Sequence, residues 1–557
     1  MTRPQYAIID RMTTASAWPR RLALAAALFL LNASLTFRNV WPTPAVRWRG
    51  DLSIELAVCV LALAAASRWL GPLSRLAISF LAAVWTILVV GHYAEVTAPA
   101  LYGREVNLYW DLGHVSGVAA MLATAASRWL ALLVIAGSAL VLFLVYRLLR
   151  WALGCVGSAM ADARVSRILG LLAAAVILLF VVQRRVEHVH DRYGADSITV
   201  SRRSFTPPVT GTYARQVRLA IHARAAARDS SVLTSSPPMN SDLSLVKGAD
   251  VMLLFLESYG AVSFERPAFV AGLAESRAEL EAAIHVTKRQ VVSAYVDSPT
   301  FGGSSWLAHI SLLTGIEVTD ADTNALLMAA KRDTLVRAFG RQGYKTVAIM
   351  PGLWNPWPEG AFYGFDEIYG GIRLNYRGPS FGWWDVPDQW SLARFEDLAL
   401  NHSPAFVFFP TINTHAPFSP VPPYQPDWAR MSSDTPYEKP DVMHALAATP
   451  DWLDLGPSYV NSLVYTNRSV AGFLGAHPDR DFVMILVGDH QPPAAVTGEG
   501  AAWSVPVHVI ASRRAVLDRL LSRGFQKGLT PVGLPIGRMN SLVPVLLDSF
   551  GNREPAE

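Results

Sequence analysis

The sequence predicts two successive architectures: a five-helix transmembrane domain and, beyond it, an α/β outer domain with a largely parallel central sheet flanked by helices. Three observations lead there. The 557-residue chain is 52% hydrophobic with a mean hydropathy of +0.27, and its apolar excess is concentrated before about residue 185. Five apolar segments lie in that stretch. From Ala249 onward, short β-branched and aromatic runs alternate with helical stretches.

The five segments, 21–37, 52–70, 76–96, 129–146 and 168–182, are near the roughly 20 residues that a helix needs to cross a bilayer core of ~30 Å. The first follows Arg3, Arg11, Arg20 and Arg21, lacks a small-x-small cleavage site and is read as an uncleaved span. With the N-terminal arginines, Arg68, Arg75, Arg147, Arg150, Arg164 and Arg167 mark cytoplasmic ends. Arg38, Arg47 and Arg49 run against that bias. An odd number of spans then puts the chain beyond residue 185 outside a bacterial-type cytoplasmic membrane, on the periplasmic side. Trp41, Trp48, Tyr102, Tyr109 and Trp110 read as interfacial belt residues. His92, Glu95, Glu105 and Asp111 lie at or beyond the end of the third span, and solvated loop positions are the simplest account of them.

Domain boundaries fall at 1–184 for the membrane domain, 185–246 for a linker and 247–557 for the outer domain. Within the linker, 213–227 is basic and amphipathic, with Val217, Ala220 and Ile221 on one face. It reads as a helix on the membrane surface or docked on the outer domain. Net charge is +4 and no dense basic stripe is present, so nucleic acid is not an expected partner. The two cysteines, Cys59 and Cys155, precede the outer domain, which rules out a disulfide framework or thiolate metal site there.

In parallel α/β sheets, ligands bind beyond the carboxyl ends of the strands, so the residues after each apolar run carry the most information. The run 251–256 ends in Glu257-Ser258-Tyr259-Gly260, and 346–350 leads into Pro351-Gly352-Leu353-Trp354-Asn355. The run 406–409 leads to Asn413-Thr414-His415, and 482–487 stops at Gly488-Asp489-His490. One fold brings these ends to one edge. A fifth element, Gly302-Gly303-Ser304-Ser305, precedes a helical pattern (Trp306, Ile310, Leu313) that stops at Gly315. Ser305 at that helix start is open to two readings: an N-cap, or a nucleophile favoured by the orphan N–H groups and the helix dipole.

These motifs, spread over about 249–510, together resemble the alkaline phosphatase superfamily, and specifically its sulfatase-like branch of lipoteichoic acid synthases and phosphoethanolamine transferases. The resemblance implies a metal-binding Glu257 in LESYG, a nucleophile Ser305 whose helix ends at Thr314-Gly315, and metal ligands Asp489 and His490. It also implies a substrate contact at His415 in NTHAPF. The departures carry information too. Leu307 and His309 stand where sulfatases have the Pro and Arg that direct formylglycine formation, so Ser305 is expected to remain an alcohol. The transferases usually carry Thr there, which leaves Ser304 as a rival nucleophile or substrate contact. The His and Arg of the synthases' headgroup segment are missing, and only Gly352 and Trp354-Asn355 remain.

The implied chemistry uses one divalent ion, Zn²⁺ or Mn²⁺, held by Glu257, Asp489, His490 and the Ser305 oxygen. His415, Trp354 and Ser304 are the implied substrate-binding residues. His309, one turn past Ser305, and His508, in a predicted buried strand, are expected to be structural; the aromatic stretch 354–390, with Trp357, Trp383, Trp384 and Asp385, is expected to wall the pocket. The expected function is transfer of a phospholipid-derived phosphoglycerol or phosphoethanolamine group onto an envelope glycan or lipid. An anchored phospho- or sulfo-ester hydrolase and a non-catalytic membrane protein are the alternatives.

Overall fold

The computed structural model describes residues 5–40, 43–102, 106, 128–193, 204–226, 233–330, 332–354, 357, 360–382, 386–402 and 404–552. Trp41, Glu105, Tyr109, Trp110, Asp111, Asn355, Trp383, Trp384 and Asp385 lie outside the described residues. The chain forms two compact units that divide near residue 220.

The first unit contains α1 (Gln5–Thr36), a hairpin of β1 (Phe37–Asn39) and β2 (Val46–Trp48), then α2 (Ile54–Leu70), α3 (Arg75–Tyr102), α4 (Arg128–Ala159), α5 (Ala163–Tyr193) and α6 (Val209–Ala226). Every apolar segment of the sequence is therefore helical. Among the described residues three stretches, Arg75–Leu101, Leu132–Ala159 and Ala163–Arg185, are long and apolar enough to cross a membrane, against the five spans expected. The two that fall short are α1, which carries Arg20 and Arg21 near the start of its apolar stretch, and α2, which has 17 residues. Packing follows the membrane pattern: small residues such as Ala27, Ala57, Ala82 and Ala152 are buried between helices, while Leu133, Ile135, Leu171 and Leu178 point outward.

Two expectations change here. His92 and Glu95 are not loop residues: both lie in α3, where His92 is buried with Nε2 2.9 Å from the Phe37 carbonyl and Glu95 pairs with Arg215 at 3.1 Å. The basic helix of the linker is α6, and it packs on the helices of its own unit. Tyr213 donates to the Ile87 carbonyl at 2.6 Å, and Thr210 donates through its N–H to Glu55 at 3.2 Å. Val217 and Ile221 remain exposed.

The second unit is built on an eight-stranded sheet: β3 (Asp250–Leu256), β4 (Gln290–Asp297), β5 (Lys345–Met350), β6 (Glu367–Gly370), β7 (Ala405–Pro410), β8 (Phe482–Gly488), β9 (Ser504–Ala511) and β10 (Gln526–Lys527). Their order is β10-β4-β9-β8-β3-β7-β5-β6. The block β8-β3-β7-β5-β6 is parallel, and β9, β4 and β10 extend it antiparallel. The central strands read as unbroken apolar runs because both faces are covered. Along β3, Val251, Leu253 and Phe255 enter one core with Ile310 and Leu313 of α8 (Ser305–Thr314). Met252, Leu254 and Leu256 enter the other core. There they meet Leu273 and Ile284 beside Tyr459 and Phe473. This alternation makes a three-layer α/β/α stack with β3 in the middle.

Pairing of β3 with β8 continues through Leu256 opposite Gly488, so the residues that follow both strands emerge side by side. Gly488 is required at that point. A Cβ there would lie 1.9 Å from the Tyr259 carbonyl oxygen, a backbone atom with no room to retreat. We expect Gly488→Ala to destabilise the α/β unit by about 3 kcal/mol, the upper end for overpacking, seen as a lowered thermal midpoint in detergent. An unchanged midpoint would show that the two strand ends are not locked together in this way.

Candidate active site

Glu257 follows β3, and Asp489 and His490 follow β8. Their ligand atoms lie within 4.8 Å of one another, and all three residues are buried. Ser305 reaches the same point from the first turn of α8. Its Oγ donates to Glu257 Oε2 at 2.8 Å and sits 3.2 Å from His490 Nε2. The sequence left open whether Ser305 caps its helix. It does not: Ser304 occupies the N-cap in a left-handed conformation (φ 62°), its hydroxyl makes no capping bond, and Ser305 is the first helical residue. The helix stops at Gly315 (φ 67°), whose N–H donates to the Ser311 carbonyl at 3.0 Å.

Ser258 holds the two acids in place. Its N–H donates to Asp489 Oδ1 at 2.8 Å, and its hydroxyl donates to Glu257 Oε1 at 3.1 Å. It does so at φ 56°, a left-handed conformation that costs a non-glycine residue about 1–3 kcal/mol and tends to occur at functional sites. The His490 N–H also donates to Asp489 Oδ1, at 2.7 Å. His490 Nδ1 lies 2.8 Å from the Gln491 carbonyl. A carbonyl only accepts, so Nδ1 carries the proton and Nε2 faces the acids, 3.5 Å from Glu257 and 3.7 Å from Asp489.

The cluster is crowded with negative charge. Burial, reinforced by the Glu257 carboxylate, pushes the Asp489 carboxyl up to about 7. Burial opposes the ionised form of His490, yet Asp489 and Glu257 outweigh it and raise the imidazole pKa. A divalent cation relieves the same crowding, and the donors fit one: two carboxylates, one imidazole nitrogen and a serine hydroxyl converge on one point.

The other predicted residues occupy distinct places. His415 lies beyond β7 with Nδ1 2.8 Å from the Ala416 carbonyl. Loss of hydration lowers its pKa; the Ala416 bond and Asp489 oppose that, and His490 adds to it. Trp354 leaves the same sheet edge beyond β5, two strands from β3, and packs on Gly371, where a Cβ would meet its ring at 2.7 Å. His309 lies between Phe255 and Phe408, with ring centroids 4.5 and 5.5 Å away, and desolvation lowers its pKa to about 4. His508 is buried in β9, bonded to Ser293 at 2.6 Å and Tyr259 at 3.2 Å, and is not part of the cluster.

The strand-end reading missed Asp388, on the short helix α9 (Asp388–Ala393). Its buried carboxylate accepts from the Ile412 N–H at 2.8 Å and the Asn413 N–H at 2.9 Å. Its own N–H donates to Asn413 Oδ1 at 2.7 Å. Burial raises its carboxyl to about 7; the two N–H donors pull it back, and Glu257 pushes the same way as burial. In the sequence Asp388 has the ordinary look of an acid in a helix first turn. Only its burial sets it apart, and sequence does not display that.

Residues 304–505, within the α/β unit, match the Sulfatase family model. That stretch contains Ser305, His415, Asp489 and His490. No curated protein matches the chain. Among solved structures, it is similar to the lipoteichoic acid synthase LtaP from Listeria monocytogenes, with 15% identity over 52% of this chain and 71% of that one (TM-score 0.32). It is similar also to the lipooligosaccharide phosphoethanolamine transferase EptA from Neisseria meningitidis, with 12% identity over 90% and 88% (TM-score 0.45). A third is the Streptococcus pyogenes phosphoglycerol transferase GacH, with 13% identity over 60% and 91% (TM-score 0.32).

A metal ion here must displace the protons that the free cluster retains. We expect Zn²⁺ affinity of the metal-free protein to weaken as pH falls through about 7, where Asp489 takes up a proton, and the raised pKa of His490 to add to that loss. Asp489→Asn should weaken it by about 100-fold at pH 8. Titration calorimetry between pH 8 and pH 6 is the check, and a pH-independent affinity would rule out these residues as the ligands.

Proposed function

We propose that this chain is a membrane-anchored, metal-dependent transferase that moves a phospholipid-derived phosphoglycerol or phosphoethanolamine group onto a cell-envelope glycan or lipid. Ser305 is its nucleophile, and the reaction passes through a phosphoseryl intermediate. The observation that carries this reading is the Ser305 hydroxyl itself: it stands at a helix N-terminus, bonded to Glu257 and adjacent to His490, in a buried cluster of metal-binding character.

Glu257, Asp489, His490 and Ser305 would hold one Zn²⁺ or Mn²⁺, which lowers the pKa of a bound hydroxyl and neutralises charge on a phosphoryl oxygen. Glu257 accepts the Ser305 proton in a hydrogen bond and so aims the Oγ lone pair away from itself. The orphan N–H groups of α8 face the incoming phosphoryl oxygens. Attack forms the Ser305 O–P bond and breaks the bond from phosphorus to the lipid oxygen, which leaves as diacylglycerol with a proton. In the second half the acceptor hydroxyl attacks phosphorus, the Ser305 O–P bond breaks and Ser305 regains its proton. His415 is neutral near pH 7 because its pKa is lowered, so it enters as a hydrogen-bond partner and proton acceptor for that hydroxyl.

Residues 1–184 serve as the membrane domain, with the α/β unit on the outer face of the cytoplasmic membrane. Two observations support that assignment. Among the described residues three helices are long and apolar enough to cross, and Arg38, one of the arginines running against the charge bias, is neutralised by Asp51 at 2.7 Å. The covalent tether keeps a donor lipid within reach of the α/β unit. The sulfatase-family match favours one second reading, an anchored phospho- or sulfo-ester hydrolase in which water replaces the acceptor. Leu307 and His309 in place of Pro and Arg weigh against formylglycine chemistry in it.

Ser305→Ala, purified in detergent with labelled phospholipid, should lose at least about three orders of magnitude in diacylglycerol release. Ser304→Ala should stay within a few-fold of wild type. Release undiminished in the Ser305 variant would refute the nucleophile. Turnover of soluble esters with no transfer to any envelope acceptor would favour the hydrolase.

A further inference from the structure

The loop that carries His415 begins at the carboxyl end of β7 and is gripped from below by one side chain. Asp388 binds the N–H groups of two successive residues, Ile412 and Asn413, one to each carboxylate oxygen, at 2.8 and 2.9 Å. The grip is reciprocal. The Asp388 N–H donates to Asn413 Oδ1 at 2.7 Å, which fixes the Asn413 amide with its oxygen toward α9. Asn413 Nδ2 then makes no hydrogen bond among the described residues, although the residue is fully buried, and the Thr414 hydroxyl is in the same condition. The neighbouring Thr411 ties the same loop to the first metal-binding acid, since its hydroxyl accepts from the Glu257 N–H at 3.0 Å. One further bond closes the turn: the His415 N–H donates to the Ile412 carbonyl at 3.1 Å. The peptide that Asp388 holds is thus the peptide on which the His415 backbone rests.

A buried carboxylate is an expensive way to shape a loop. Two charge-assisted bonds to consecutive N–H groups fix a loop's path far more tightly than one neutral bond. We infer that Asp388 is a positioning residue of the transfer reaction: by clamping Ile412 and Asn413 it holds His415 in register with the Ser305–Glu257–His490 cluster. Among the described residues the hydrogen bonds of Asp388 go to Ile412 and Asn413, so its effect passes through the loop. The inference rests on the transferase reading for the role of His415, and on geometry alone for the clamp.

The test combines hydrogen exchange with a double-mutant cycle on the full-length protein in detergent. Asp388→Asn keeps the volume and one acceptor but turns an N–H₂ toward one of the two donors. Amide exchange across 410–416 should accelerate at least about 10-fold in this variant, while Zn²⁺ affinity stays within about 3-fold of wild type. Asp388→Asn and His415→Ala should each slow turnover at least about 10-fold, mainly in kcat, and the double variant should be no slower than His415→Ala alone. Multiplying losses, unchanged exchange, or full activity in His415→Ala would each overturn the inference. If Asp388→Asn fails to fold, Asn413→Ala removes the reciprocal bond from the loop side and enters the same cycle. The cycle is run on an aryl phosphodiester as well as on labelled phospholipid. A wild type that turns over only the first refutes the lipid-headgroup reading and leaves the Asp388 cycle decided by its own numbers.

Discussion

The site depends on the parallel pairing of β3 with β8. Their ladder runs to Leu256 opposite Gly488 and stops, so two acids and an imidazole leave adjacent strands at one level. A shift of one residue in β3 would exchange the faces of its side chains, moving Met252 and Leu254 into the wrong core. The hydrophobic pattern that stabilises the sheet therefore also fixes the spacing of Glu257, Asp489 and His490. Gly488 and Ser258 complete the lock, one by letting the Tyr259 carbonyl approach, the other by bonding to both acids.

Around this point the remaining elements each supply one constraint. Helix α8 is anchored in one core through Ile310 and Leu313, which fixes the height of its first turn and hence of Ser305. Strand β7 delivers the His415 loop, held by Asp388 from beneath. The histidines divide by environment. His490 lies among carboxylates and is raised; His309 and His508, packed in aromatic or hydroxyl surroundings, are lowered, to about 4 and about 3. Of the three, His490 alone belongs, among the described residues, to the cluster that could hold a metal ion.

Much of this was legible in the sequence because parallel strands announce themselves as unbroken apolar runs and because their chemistry sits immediately afterwards. VMLLFL before Glu257 and FVMILV before Asp489 were readable for that reason, as was the end of α8 at Gly315. What was not legible depends on three-dimensional neighbours. Asp388 looks like any acid in a helix first turn until its burial is known. Ser258 carries no sign of its left-handed backbone, and the choice between Ser304 and Ser305 as helix cap turns on one residue of register. In the first unit each of the five apolar segments falls on a helix, but among the described residues three of those helices are long and apolar enough to cross. Helix α6 was misplaced, because a basic amphipathic pattern is equally suited to a lipid surface and to partners such as Glu55 and Glu95.

The central claim is a covalent bond to one oxygen, and it can be seen directly. Full-length protein quenched in acid during turnover of labelled phospholipid, digested and analysed by mass spectrometry, should carry the phosphoglycerol or phosphoethanolamine group on Ser305, and the adduct should vanish when acceptor is added before the quench. An adduct on Ser304, or steady turnover with no serine adduct at any quench time, would contradict the account.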